Sequence, residues 1–128
     1  MIEVLVCKDE QITKSLFNEL GITFSKDKFC VRAMCGAEML GYCLFSLDNE
    51  KEIIYCVEPA NDRLLADGLL RSALHVGCER GIQEAFYDYP MNVELLKKIN
   101  FLDDETEKRL KLQNLFTDCC CQENKNNQ

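Results

Sequence analysis

Four features of this sequence have the residue types to do chemistry. They are the segment Asp62–Gly68 at the head of a long helical pattern, the carboxylates Glu52 and Glu58, the tyrosines Tyr87 and Tyr89, and nine cysteines beside one histidine. A helix start presents unpaired backbone N–H groups and the positive end of the helix dipole, which suits a phosphate or pyrophosphate. Small side chains in the first turns, here Ala66 and Gly68, let such an anion approach the backbone. The local charges oppose it: Asp62, Arg63 and Asp67 sum to about −1. The cysteines do not form a metal site, because Cys7, Cys30, Cys35, Cys43, Cys56 and Cys78 contain no C-x-x-C pair. His75 has no ligand partner at helical spacing. Nor does any cysteine have an evident histidine partner that would make it a nucleophile.

The elements that must position these residues alternate in kind. Ile2–Cys7 is a short β-prone run, and Asp9 caps a helix whose apolar face is Ile12, Leu16, Phe17 and Leu20, stopped by Gly21. Lys28–Cys35, Glu38–Leu47 and Glu52–Glu58 read as an antiparallel meander, with turns at Gly36-Ala37 and Asp48-Asn49-Glu50. Pro59 ends the third of these strands. Asn61 or Asp62 then caps the longest helix, about Arg63–Arg80, striped by Leu65, Leu69, Ala73 and Val76, widened by Leu70, Leu74 and Gly77, and closed by Gly81. His75 falls away from that stripe, where a surface or half-buried position suits it. Ile82–Tyr87 follows a crossover helix and so should lie parallel to the Glu52 strand. A shorter helix covers Asn92–Ile99, and Phe101–Phe116 should hold one or two last strands, with Arg109–Leu115 alternating. The order β-α-β-β-β-α-β-α-β(β) defines an α/β class with a mixed sheet and helices on both faces.

With 128 residues the chain suits one domain, placed at 1–118, with a tail at 119–128 that is cysteine-rich and then polar. Cys119-Cys120-Cys121 reads as a mildly sticky tail, with redox sensing or adventitious metal binding as the other readings. The formal net charge of −7 and the absence of a basic stripe argue against a nucleic-acid partner and lean toward a cationic one. No apolar run approaches the roughly 20 residues that span a bilayer, so no membrane partner is expected. An odd cysteine count without a secretion signal points to a reducing, cytoplasmic setting.

The stretch VEPANDRLLADGLLRSALHVGCERGI resembles the acyl-CoA motif of the GNAT superfamily of N-acyltransferases. In that family a central strand ends in Val-x-Pro, as in Val57-Glu58-Pro59. A Q/R-x-x-G-x-G/A loop opens the next helix, as Arg63-Leu64-Leu65-Ala66-Asp67-Gly68 does, and an Arg-Gly pair closes it, as Arg80-Gly81 does. NVELLKKINF, at Asn92–Phe101, is similar to the helix that follows in the family. The resemblance covers about Glu52–Phe101 and agrees with the order of elements along the chain.

The resemblance implies a GNAT-like fold and acetyl-CoA as co-substrate. Arg63, Leu64, Ala66, Asp67 and Gly68 would hold the pyrophosphate, and the extended backbone at Cys56 and Val57 would pair with the pantetheine arm. It further implies direct transfer of an acetyl group to a small amine or a peptide, by a monomer or a homodimer. Glu52 resembles the family's base position, although after Lys51 it also suits a solvated strand entry. Glu58 would greet a cationic acceptor. The family's acid tyrosine aligns with Leu96, which cannot protonate a thiolate, so Tyr87 or Tyr89 would have to replace it. The family glycine before the aligned phenylalanine is Asn100, and one helix stands before the Lys28 strand where the family commonly has two. These departures, with the acidic loop, leave a second expectation: a non-catalytic GNAT-like module with weak or lost CoA binding that acts through protein partners.

Overall fold

A computed structural model describes residues 1–112. Its elements are β1 (Ile2–Val6), α1 (Glu10–Glu19), β2 (Lys28–Cys35), β3 (Glu38–Leu47), β4 (Lys51–Glu58), α2 (Arg63–Glu79), β5 (Glu84–Tyr87), α3 (Val93–Lys98), β6 (Leu102–Asp104) and β7 (Arg109–Leu110). They form one seven-stranded sheet in the order β1-β2-β3-β4-β5-β7-β6. The first four strands are antiparallel neighbours, and β4 pairs with β5 in parallel. That parallel step is what the crossover through α2 requires.

The helix starts follow capping chemistry. The Asp9 carboxylate accepts from the N–H groups of Gln11 and Ile12, Asp62 accepts from Leu65, and Asn92 accepts from Leu95. Both sheet faces are covered. Leu69, Leu70, Ala73 and Leu74 of α2 pack on Val31, Ala33, Cys43, Phe45, Ile54 and Val57, and the α3 region joins this cluster through Leu95, Leu96 and Ile99. On the other face Phe17 of α1 sits among Cys7, Cys30, Leu44 and Cys56, with the Tyr55 ring edge-on to it at 6.0 Å. The buried cysteines therefore act as small apolar residues. Burial pushes the thiols of Cys30 and Cys56 up to about 12.

Two sequence expectations change. β5 starts at Glu84 rather than Ile82, because the Ile82 N–H donates to the Gly77 carbonyl and Gly81 sits at φ +84, closing α2 before a strand can begin. The expected Arg109–Leu115 strand is Arg109–Leu110 within the described residues, where β7 inserts between β5 and β6. Residues 113–128, including Cys119–Cys121 and the tail, lie outside the described residues. No helix among the described residues is long and apolar enough to cross a membrane.

Candidate active site

The site begins where two strands stop pairing. β4 and β5 run in register from Lys51–Glu84 to Ile54–Tyr87, and the Asp88 N–H then donates to the Ile54 carbonyl at 3.0 Å. Beyond that point β5 has ended, while β4 continues through Tyr55, Cys56, Val57 and Glu58, paired among the described residues with β3 alone. No described strand pairs with the β5-side edge of these four residues, a slot that an extended amide-bearing chain can enter as an added strand. A register shift between Leu44 and Phe45 marks a bulge in β4 at Tyr55. It turns Tyr55 and Cys56 together toward the α1 face and returns Val57 to the α2 face. Four residues after Glu58, Asp62 opens α2, so the helix start stands at the mouth of the slot.

That helix start is partly occupied. Asp62 Oδ1 accepts from the Leu65 N–H at 3.1 Å, which leaves the N–H groups of Arg63 and Leu64 toward solvent. Arg63, Leu64 and Asp67 line a cavity of about 210 Å³ together with Arg71 and Ile99. Arg71 donates to Asp67 at 3.1 Å and lies over the Phe101 ring at 5.2 Å. Arg63, Asp67 and Arg71 thus form one helical face at i, i+4, i+8, and Arg71 is the member that the motif alone did not point to. The other two loop positions look elsewhere. Ala66 is buried in the core, and Gly68, in the second turn, lines a separate cavity with Ile2, Val4 and Leu40. A Cβ at Gly68 would meet nothing within 4 Å.

Glu52 is not the solvated strand-entry carboxylate that its neighbour Lys51 suggests. It is 1% exposed, its Oε2 has no hydrogen-bond partner among the described residues, and it lies under α2 at Gly77. A Cβ on Gly77 would run into Glu52 Oε1, so glycine in the helix makes the notch that admits the carboxyl. Burial alone raises the Glu52 carboxyl to about 9, which keeps it neutral at physiological pH. It stands three residues before Tyr55, where the slot opens, and on the α2 face.

Tyr87 and Tyr89, the two alternative candidates for the acid, lie in different surroundings. The Tyr87 phenol is buried and donates to the Glu105 carbonyl at 3.5 Å, and burial raises its pKa. Tyr89 is 84% exposed just past the end of β5. Leu96 is fully buried. On the α1 side of the slot Tyr42 lies opposite Glu58. Burial, with Cys56, Glu58 and Glu19 adding to it, pushes the Tyr42 phenol up to about 12. The two glutamates are exposed and make this mouth acidic.

The mixed seven-stranded sheet with its three helices has counterparts among solved structures. Several of these are GNAT-type acetyltransferases. An acetyl transferase candidate from Pyrococcus furiosus superimposes with a TM-score of 0.59 at 13% identity, over 81% of this chain and 95% of that one. A ribosomal-protein-alanine N-acetyltransferase from Brucella melitensis gives 0.59 at 10%, over 77% and 90%. An acetyltransferase candidate of the GNAT family from Desulfovibrio desulfuricans gives 0.51 at 13%, over 68% and 72%. At such identities the likeness establishes a GNAT-like fold. No protein-family model and no curated protein matches the sequence.

Proposed function

We propose that the chain is an N-acetyltransferase that moves an acetyl group from acetyl-CoA to a cationic primary amine by direct attack. The observation that carries this reading is the open edge of β4 from Tyr55 to Glu58, ending at the start of α2. The unpaired edge of β4 offers the backbone N–H and C=O groups around Cys56 and Val57 to a pantetheine arm. The Arg63 and Leu64 N–H groups, with the Arg63 and Arg71 side chains, suit the phosphates beyond it.

The thioester supplies an activated acyl carbon; the protein supplies placement and proton handling. Glu58 and Glu19 attract an ammonium to the acidic mouth, and water there takes its proton once the amine is placed. The amine nitrogen bonds to the acyl carbon as the carbon–sulfur bond breaks. Tyr89, exposed beside the slot, is the tyrosine that reaches the departing thiolate with a proton, because the Tyr87 hydroxyl is turned to Glu105. Glu52 does not serve as the base in this reading, since its carboxyl is neutral and enclosed beneath α2.

Calorimetry with CoA and acetyl-CoA on the reduced protein tests the reading, with Arg63→Glu as control. Binding that the control weakens at least tenfold supports the phosphate seat. One observation favours the non-catalytic alternative: the Asp62 carboxylate occupies the helix start where a phosphate would sit. No binding at millimolar CoA would favour that module, working through a protein partner.

A further inference from the structure

The α1 face of the sheet carries a row of three side chains of which the proposed reaction uses one end. Arg32 of β2 stands opposite Tyr42 of β3, and Tyr42 stands opposite Glu58 of β4. Directly opposed residues of antiparallel strands share a face, and Tyr42 packs with the cluster under α1, so all three point to that side. Two residues along each strand, α1 covers the next row, which holds Cys30, Leu44 and Cys56. The Arg32–Tyr42–Glu58 row is more open: Arg32 and Tyr42 are half-buried and Glu58 is exposed. Arg32 is the odd member. Its side chain has no ion pair or hydrogen bond among the described residues, whereas Arg71 pairs with Asp67, and Arg109 with Asp103, Asp104 and Glu107. A cation held partly out of water is ordinarily paired. At the far end of the row the Glu58 carboxylate also lacks a partner among the described residues, with Glu19 of α1 nearby.

We propose that this row reads two charges on the acceptor: its ammonium end lies at Glu58 and Glu19, and an anionic group of the same molecule binds Arg32. Neighbouring strands are about 4.8 Å apart, so the two steps from β4 to β2 separate the charged positions by about 10 Å at the backbone. Three extended peptide residues span about 10 Å. The acceptor that fits is a peptide amino terminus with a carboxylate on its third residue, laid across the strands. Tyr42 stands midway. Burial first, then Cys56 and Glu58, push its phenol up to about 12, so it keeps its proton at neutral pH and can donate to a peptide carbonyl. A purely cationic acceptor, such as a polyamine, would meet Arg32 as a like charge. Arg32 therefore selects among acceptors and takes no part in the bond change. The inference rests on the acyl-transfer reading for what becomes of the amine, while recognition of the two charges needs no thioester.

The test uses two peptides with free amino termini and amidated ends, Ala-Ala-Glu-Ala-Ala and Ala-Ala-Gln-Ala-Ala. Each is titrated at low salt into the reduced full chain and followed by backbone amide NMR, for wild type, Arg32→Gln and Arg32→Lys. Wild type is expected to bind the glutamate peptide about fivefold more tightly, the upper range for a partly exposed ion pair, with shifts at Arg32, Tyr42 and Glu58. Arg32→Gln should erase the preference and Arg32→Lys should keep part of it, which separates a lost charge from a damaged strand. Equal affinity of wild type for the two peptides, a preference that survives Arg32→Gln, or no binding of either at millimolar peptide overturns the proposal. The same peptides are then incubated with acetyl-CoA and weighed by mass spectrometry. A glutamate preference in binding without acetylation supports the row and contradicts the acyl-transfer reading. Acetylation of both peptides with equal affinity contradicts the row and supports the transfer.

Discussion

Replacing Glu52 by glutamine should flatten the pH dependence of stability. The Glu52 carboxyl is raised by burial from its ordinary 4.5 to about 9. Between those values the folded protein keeps a proton that the unfolded chain has released. The unfolded state then binds fewer protons, so stability falls as pH rises through this window and levels off only above the folded pKa. Each pH unit costs about 1.4 kcal/mol, which makes Glu52 a penalty of about 3 kcal/mol at pH 7. Glutamine keeps the shape that fits the Gly77 notch and cannot ionise. A buried amide group without a partner costs about 1–3 kcal/mol, but that cost does not vary with pH. The readout is therefore a difference of slopes. Urea unfolding of wild type and Glu52→Gln at pH 5, 6, 7 and 8, under reducing conditions, should show the wild type losing about 1.4 kcal/mol per unit more than the variant. The other titrating groups cancel in the comparison. Parallel profiles would refute the reasoning, since they would mean that Glu52 is ionised in the folded protein.

Three further perturbations test neighbouring parts of the account. Gly77→Ala should destabilise by about 1–3 kcal/mol through collision with Glu52, despite alanine's better helix propensity, and Glu52→Ala in the same chain should recover part of that loss in a double-mutant cycle by thermal or urea unfolding. Asp62→Ser keeps a cap for Leu65 and removes a negative charge from the phosphate seat, so stability should stay within about 0.5 kcal/mol while calorimetry shows tighter CoA binding. Tyr89→Phe should lower kcat by on the order of 10²-fold with little change in CoA affinity, whereas Tyr87→Phe should act mainly on stability.

The order of elements was readable because each boundary has a local cause. Asp9, Asp62 and Asn92 cap three helices, Gly81 closes one, and glycine or Asx turns divide the meander. The features that decide the site come from packing between distant segments. EIIYCVE is too uniformly apolar for period-two alternation to assign faces, so the Tyr55 bulge left no pattern. Glu52 follows a lysine and looks solvated; its burial depends on Gly77, which lies 25 positions later in the sequence and reads there as a mere widening of an apolar stripe. Ile2–Cys7 reads as a short β-prone run, yet the place of β1 at the sheet end follows from the pairing of β2 with β3, and nothing local announces it. Arg71 was within reach, since it repeats Arg63 and Asp67 at helical spacing. Gly68 fits the family motif by position, but helical geometry turns it to the groove beside β1.

The central claim is that the open edge of β4 and the start of α2 together receive an acyl-CoA. Backbone amide NMR of the reduced full chain during titration with acetyl-CoA tests it most directly. The account predicts saturable shifts concentrated at Tyr55–Glu58 and Asp62–Leu65, with smaller ones around Arg71 and Tyr89. Saturating shifts that fall on the β1 groove, or a spectrum unchanged at millimolar acetyl-CoA, would contradict it.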